Sequence, residues 1–348
     1  MRKRITIKDV AKKAGTSYQT VSRVINNKPD VSADTRQRVL DVINELNYRP
    51  SMAATSRANP KTQIMAVAIS PYNEYLLYEG DPHLLRIIHG IDQALKARNY
   101  SLLLSTIHYK NDGEIESRLL NRQLADGVII RLSMKDRGKT AKLLADKGYP
   151  VVVLGYSEHP DIPAIRSDDE HGGFTQTQHL LALGHQKIGI ISGPIDDPAT
   201  TKRRDGHNRA MFTSGFDPSN TPIVPGDYTD GSGYKAVAKL IMNHPEITAI
   251  IAFNDMMAIG AIQWLNQKGI IVPDEISVVG YDDILDAQCQ VPPLTTIKIP
   301  SLDEGQQAAK ILFDLIENRP LNSRKFILPV HLITRKSTTV PRKTELTL

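Results

Sequence analysis

Apolar residues recur along this chain with two patterns, and the change between them divides it. Near the N-terminus they fall at helical spacing in short blocks: Val10, Ala11 and Ala14, then Val21, Val24 and Ile25, then Val39, Leu40, Val42, Ile43 and Leu46. Beyond Pro60 they form continuous runs of strand length: "IMAVAIS", "SLLLST", "DGVIIRL", "PVVVLG", "KIGIISG", "AIIAF" and "ISVVGYDD". Between the runs lie helical patterns such as "LLRIIHGIDQALKARNY", "GGFTQTQHLLALGH" and "DMMAIGAIQWLNQKG". Unbroken apolar strands alternating with helices predict parallel sheets covered on both faces. The body thus reads as an α/β unit of two lobes. A ligand would bind between them, beyond the carboxyl ends of the strands.

The N-terminal blocks predict three short helices. Thr6 caps the first with Asp9 at its third position, and Gly15 ends it. Ser17 caps the second after a turn of about three residues. Ser32 caps the third beyond the turn-rich "NNKPDVS", with Arg36 and Arg38 outward. Two helices joined by a Gly-containing turn and closed by a third describe a helix-turn-helix. Its second helix carries Tyr18, Gln19 and Arg23 opposite its apolar side, and Gln and Arg suit bidentate contacts to base edges. The bland alternative is a helical hairpin with a solvated face.

Charge supports the DNA reading. Residues 1–61 hold 13 Lys and Arg against 5 Asp and Glu, whereas the remainder holds 30 against 33. A basic module is attached to a slightly acidic body. The 348 residues suffice for two or three domains, and the one cysteine, Cys289, excludes an internal disulfide. With no long apolar run and no signal core after Met1-Arg2-Lys3-Arg4, a cytoplasmic protein without membrane contact is expected.

The stretches "TIKDVAKKAGTSYQTVSRVINN" and "VSADTRQRVLDVINELNYRP" resemble the DNA-binding headpiece of the LacI family of transcriptional regulators. "HLLALGHQKIGIISGP", "FNDMMAIGAIQWLNQKG", "DEISVVGYDD" and "PPLTTIKIP" resemble its effector-binding core, shaped like a periplasmic sugar-binding protein. The resemblance implies a helix-turn-helix headpiece over 1–49, a hinge helix and linker over 50–60, a two-lobed effector-binding and dimerisation body over 61–340, and a tail over 341–348. It implies that Tyr18, Gln19 and Arg23 read bases, while Thr6, Ser17, Thr20, Ser22 and Asn26 hold or flank phosphates. In "SMAATSRAN" the family usually has leucine, a minor-groove wedge, where this chain has Arg57.

For the cleft it implies effector contacts from Arg203, Asn254 and Asp282, with Ser70, Arg131 and Tyr228 as further candidates. Most of these follow a strand run. Asn254 and the adjacent Asp255 read equally well as caps of the following helix. The chain departs from the family's lactose-sensing pattern at Arg131 and Ile299, where that pattern has amides, and at Gly155, where it has an acid.

Catalysis has no support. "GSGYK" lacks P-loop spacing, no nucleophile elbow or metalloprotease helix appears, and His179 and His185 lack metal-ligand spacing. Adjacent acids such as Asp282 and Asp283 cannot flank a glycosidic bond. No cofactor is expected. The reading is a repressor that binds a palindromic double-stranded operator as a homodimer and is released by a sugar-like effector. The alternatives are a corepressor-activated, purine-sensing regulator and a solute-binding protein that does not touch DNA.

Overall fold

The computed structural model describes residues 5–25, 28–46, 48, 61–69, 81–106, 124–131 and 138–343. Two compact units form: residues 1–63 with 123–125, and the rest.

The first unit holds α1 (Ile7–Lys13), α2 (Tyr18–Ile25) and α3 (Ala33–Glu45). Each start is built as its sequence suggests. Asp9 Oδ2 accepts from the Thr6 backbone N–H at 2.8 Å, Ser17 Oγ accepts from Thr20 N–H at 3.1 Å, and Ser32 Oγ from Thr35 N–H at 3.4 Å. Gly15 takes φ +63° where α1 must turn. Val10, Ala11, Ala14, Val21, Val24, Val39, Val42 and Tyr48 form the core. Two expectations are corrected. Leu40 is exposed, one position round the helix from buried Val39. Arg36 is not simply outward; it is half-buried and donates to the Lys28 carbonyl, closing the loop before α3.

The second unit contains two six-stranded sheets. One takes β1 (Ile64–Ile69), β2 (Ser101–Thr106), β3 (Gly127–Arg131), β4 (Val151–Leu154), β5 (Ala164–Ser167) and, near the C-terminus, β11 (Lys325–Leu328). Its order is β11-β5-β4-β3-β1-β2 and every pair is parallel. The other takes β6 (Ile188–Ser192), β7 (Ile223–Pro225), β8 (Ala249–Ala252), β9 (Ser277–Asp282), β10 (Thr295–Lys298) and β12 (His331–Ile333). Its order is β12-β10-β9-β8-β6-β7, with only edge strand β12 antiparallel.

Helices α4 (Pro82–Lys96), α5 (Lys139–Asp146) and α11 (Ser301–Ile316) cover the first sheet. Helices α6 (Asp169–Ala182), α7 (Pro198–Thr213), α8 (Asp230–Asn243), α9 (Asp255–Gln267) and α10 (Leu285–Cys289) belong to the second. The central strands read as apolar runs because both their faces are covered: Val128, Ile129, Ile130, Ile250 and Ile251 are wholly buried. The chain crosses between lobes three times: from β5 to α6, from β10 to α11, and from β11 to β12. Those short crossings place the strand ends of both lobes around one cleft.

Candidate functional site

The outward side of α2 stays open. Tyr18 is 54% exposed, Gln19 and Arg23 are exposed, and Ser22 is half-buried, while Val21 and Val24 fill the core beneath. Ser17 Oγ also lies 3.0 Å from Thr20 Oγ1, fixing the helix entry. Arg23 pairs with Asp30 at 3.0 Å, so its guanidinium is held at the helix surface before any partner arrives. This face can donate and accept at its N-terminal end and carries a fork one turn on. That suits a major groove. Asn26 and Arg57 lie outside the described residues.

The cleft centres on Arg203, in the second turn of α7. Its Nε donates to Asp169 Oδ1 at 2.9 Å, its Nη1 donates to the Phe253 carbonyl, and its Cζ lies 3.6 Å from the centre of the Tyr281 ring. Nη2 makes no hydrogen bond among the described residues. The Asp169 carboxylate is shared across the lobes. Tyr156 Oη, just after β4, donates to Oδ2 at 2.8 Å, and Tyr281 Oη reaches Oδ1 at 3.4 Å. Burial and then Asp169 act oppositely on Arg203, and it stays charged.

Two glycines allow this pairing. A Cβ on Gly173 of α6 would meet the Arg203 carbonyl at 2.0 Å, and one on Gly206 of α7 would meet the Glu170 carbonyl at 2.0 Å. The helices therefore cross backbone to backbone, which brings Asp169 and Arg203 together.

Asp282 ends β9 at φ +113°, and Asp283 follows at φ +56°. Such residues each cost on the order of 1–3 kcal/mol and persist where the surroundings hold them. Here Asp283 pairs with Arg335, and its carbonyl accepts from Arg86 Nη1 of the opposite lobe at 2.7 Å. Burial pushes the Asp282 carboxyl well above the usual range, against the pull of Arg203 and with the push of Asp255, Asp81 and Asp169.

The other expected residues are placed as follows. Asn254 caps α9, accepting from Met257 N–H at 2.9 Å, and donates to the Tyr228 carbonyl at 2.9 Å, so both ends of its amide are engaged. Asp255 is fully buried and accepts from Ile284 N–H and Thr296 Oγ1, with burial raising its carboxyl to about 7. Tyr228 Oη donates to Asp197 at 2.6 Å and lies 3.0 Å from Thr200 Oγ1. Arg131, at the end of β3, pairs with Asp81 at 3.1 Å. Ser70 lies outside the described residues.

Several residues of this cleft carry no signal in the sequence. Asp81 caps α4 through His83 and Leu84 N–H; burial raises its carboxyl, but Arg131, His83 and those bonds outweigh it and hold it low. His83 shares a 2.9 Å hydrogen bond with Ser301 Oγ, and burial beside Arg131 lowers it to about 3. Glu304, in the first turn of α11, is 4% exposed, and burial raises it to about 8. Asp81 and Asp169 read as ordinary helix-start acids and Tyr281 as part of an apolar strand. Only the three crossings reveal their meeting. Among the described residues no His, Cys, Asp and Glu cluster fits a metal ion, and no helix is long and apolar enough to cross a membrane.

Comparison with known proteins places the chain in a family. Residues 6–51 match the model for bacterial regulatory proteins of the lacI family, and residues 75–336 match that for periplasmic binding proteins and the sugar binding domain of the LacI family. The chain belongs to the LacI family. The HTH-type transcriptional repressor PurR of Photobacterium profundum is 33% identical over 95% of this chain and 98% of its own. The regulator CelR of Thermobifida fusca is 33% identical over 97% and 99%. Among solved structures, a Lac repressor dimer bound to operator and the anti-inducer ONPF superposes with a TM-score of 0.85 at 31% identity, covering 97% of this chain and 100% of that one. A CelR–cellobiose complex superposes with a TM-score of 0.74 at 31% identity, covering 96% and 100%. This LacI-family chain is a DNA-binding transcriptional regulator and not an enzyme. Its headpiece and two-lobed body correspond to the two matched models.

Proposed function

We propose that this regulator is a repressor that binds a palindromic operator as a homodimer and leaves it when a sugar-like effector enters the cleft. The observation that carries the effector reading is Arg203. Its guanidinium is anchored on two sides and stacked on Tyr281, with no hydrogen bond to Nη2 among the described residues, and its charge acts on the strained Asp282. A fixed donor beside an acceptor suits adjacent hydroxyls. The CelR–cellobiose complex supports a sugar. A neighbour from Enterococcus faecium with bound ribose, 28% identical with a TM-score of 0.70 over 80% of this chain and 100% of that one, supports it too.

In the headpiece, Tyr18, Gln19 and Arg23 read base edges. Thr6, Ser17, Thr20, Ser22 and Asn26 meet or flank phosphates, and Arg57 lies in the minor groove. In the cleft, Arg203 and Asp282 bind effector directly. Asn254 and Tyr228 shape the wall through each other, Arg131 acts through Asp81, and Ser70 follows β1. Two-fold operators imply two-fold proteins, and the dimeric Lac repressor on its operator supports that assembly here. The regulator works in the cytoplasm, on chromosomal DNA.

The relatives named PurR are as similar as CelR, which keeps a purine corepressor as the second reading. A binding-site selection with the full-length protein, repeated with mono- and disaccharides and with purine bases, separates them. Recovery of a palindrome that a sugar releases is expected. A palindrome recovered only in the presence of a purine base would establish the second reading instead.

A further inference from the structure

Asp169, Gly172, Gly173 and Gln176 of α6 follow the spacing i, i+3, i+4, i+7, which places them on one face of the helix. That face meets Arg203 and its partners. Asp169 accepts from Arg203 Nε at 2.9 Å. A Cβ on Gly172 would meet Tyr281 Oη at 2.3 Å, and one on Gly173 would meet the Arg203 carbonyl at 2.0 Å, so the two glycines admit the Tyr281 ring and α7. Gln176 is fully buried. Its Nε2 donates to the Ala252 carbonyl at 3.1 Å and to the Gly280 carbonyl at 2.7 Å, while its Oε1 accepts no hydrogen bond among the described residues.

Those two carbonyls stand where the sheet comes apart. Strands β8 and β9 run in register as far as Ile251 and Val279. Ala252 and Gly280 come next, and the Gln176 amide joins them, one N–H to each strand. One residue further along β8, Phe253 offers the carbonyl that accepts from Arg203 Nη1. One residue further along β9, Tyr281 offers the ring over which the guanidinium lies. Asn254 and Asp282 follow directly. An apolar side chain of similar length would fill the same space without leaving a buried oxygen unpaired, which opposes folding. What the amide adds is a fixed spacing between two strand ends.

We infer that Gln176 is a positioning residue for Arg203: by tying the Ala252 and Gly280 carbonyls together it fixes the Phe253 carbonyl and the Tyr281 ring, and with them the orientation of the guanidinium. One face of α6 thus governs all three supports of that group, Asp169 by direct contact and the other two through Gln176. The consequence for effector binding rests on the reading of Arg203 as a sugar contact.

The test compares the full-length protein with Gln176→Met, which keeps the length of the side chain and loses both donors. The first readout needs no ligand. It is the Arg203 Nε–H signal in a proton–nitrogen correlation spectrum, assigned by its absence from Arg203→Lys. In the wild type the Tyr281 ring should shift it away from the signals of exposed arginines, and Gln176→Met should return it toward them. The second readout is titration calorimetry with D-ribose and cellobiose. Whichever sugar binds the wild type should bind Gln176→Met about tenfold or more weakly, while operator affinity without sugar stays within about twofold. Gln176→Glu, whose buried carboxyl stays protonated opposite two carbonyls and keeps one donor, should fall between the two, and it carries the test if Gln176→Met does not fold. An Arg203 signal that stays in place in the variant would overturn the inference. A signal that moves while sugar affinity does not would uphold the hold of Gln176 on Arg203 and overturn Arg203 as a sugar contact. If neither sugar binds the wild type, the sugar reading loses its support, and the Arg203 signal still decides the role of Gln176.

Discussion

At the scale of residues, the cleft is a set of buried charges whose pairing is uneven. Arg203 and Asp169 neutralise each other, as do Arg131 with Asp81 and Arg335 with Asp283. Glu304 forms no ion pair among the described residues, and its protonation has a readable consequence for stability. Its carboxyl is raised from 4.5 to about 8 in the folded chain. Between those values the unfolded chain gives up a proton that the folded chain retains, so folding stability falls as pH rises through that window. Glu304→Gln cannot titrate. Urea unfolding at pH 5 and at pH 8 should therefore show the variant gaining about 2–4 kcal/mol on the wild type between the two. A gap that does not change with pH would mean that Glu304 is ionised throughout.

Residue roles were only partly legible in the sequence. Arg203 and Asp282 stand out because a fork and an acid sit beside a helix start and a strand end. Asn254 was open between two roles, and its capping bond to Met257 with its donation to Tyr228 uses the whole amide. Asp169, Tyr156 and Tyr281 were invisible. Their meeting depends on a sequence separation of 112 between Asp169 and Tyr281, which no local pattern records.

At the scale of elements, the headpiece was legible almost whole, because caps and apolar stripes are local. The long buried strands were legible for the same reason. The short strands β7, β11 and β12 were not, since an edge strand of three or four residues has too few apolar positions to signal itself, and neither was internal β5, whose four residues include Arg166 and Ser167. Leu40 also escaped the pattern. Its neighbour Val39 takes the inward position, and Leu40 faces out.

Two predictions belong to this scale. Gly206→Ala would place a Cβ 2.0 Å from the Glu170 carbonyl and force α6 and α7 apart. It should cost about 1–3 kcal/mol in urea unfolding and weaken effector binding while leaving operator binding intact. An unchanged midpoint would show that the crossing can relax. In α2, Arg23→Ala should cost about 1–3 kcal/mol in operator affinity and relax the preference at one base pair in each half-site. Selection experiments that return the same site from both proteins would assign Arg23 to its pair with Asp30 alone.

At the scale of the molecule, a basic headpiece and a two-lobed body share one chain, and effector must act on one to be felt at the other. The contacts that span the lobes, Tyr156 to Asp169 and Arg86 to the Asp283 carbonyl, sit around Arg203 and Asp282. On the proposed function, a ligand engaging those two residues would bias the lobes' arrangement. A coupling of only about 1–3 kcal/mol shifts DNA affinity about 5–150-fold. The most direct test is fluorescence anisotropy on the selected operator, with and without saturating effector, for the wild type and Arg203→Lys. Lysine keeps a charge for Asp169 but lacks the fork. The account predicts that effector weakens wild-type binding within that range, while Arg203→Lys holds the operator equally tightly and is not released. Equal release of both proteins, or a wild type that effector does not move, would contradict it.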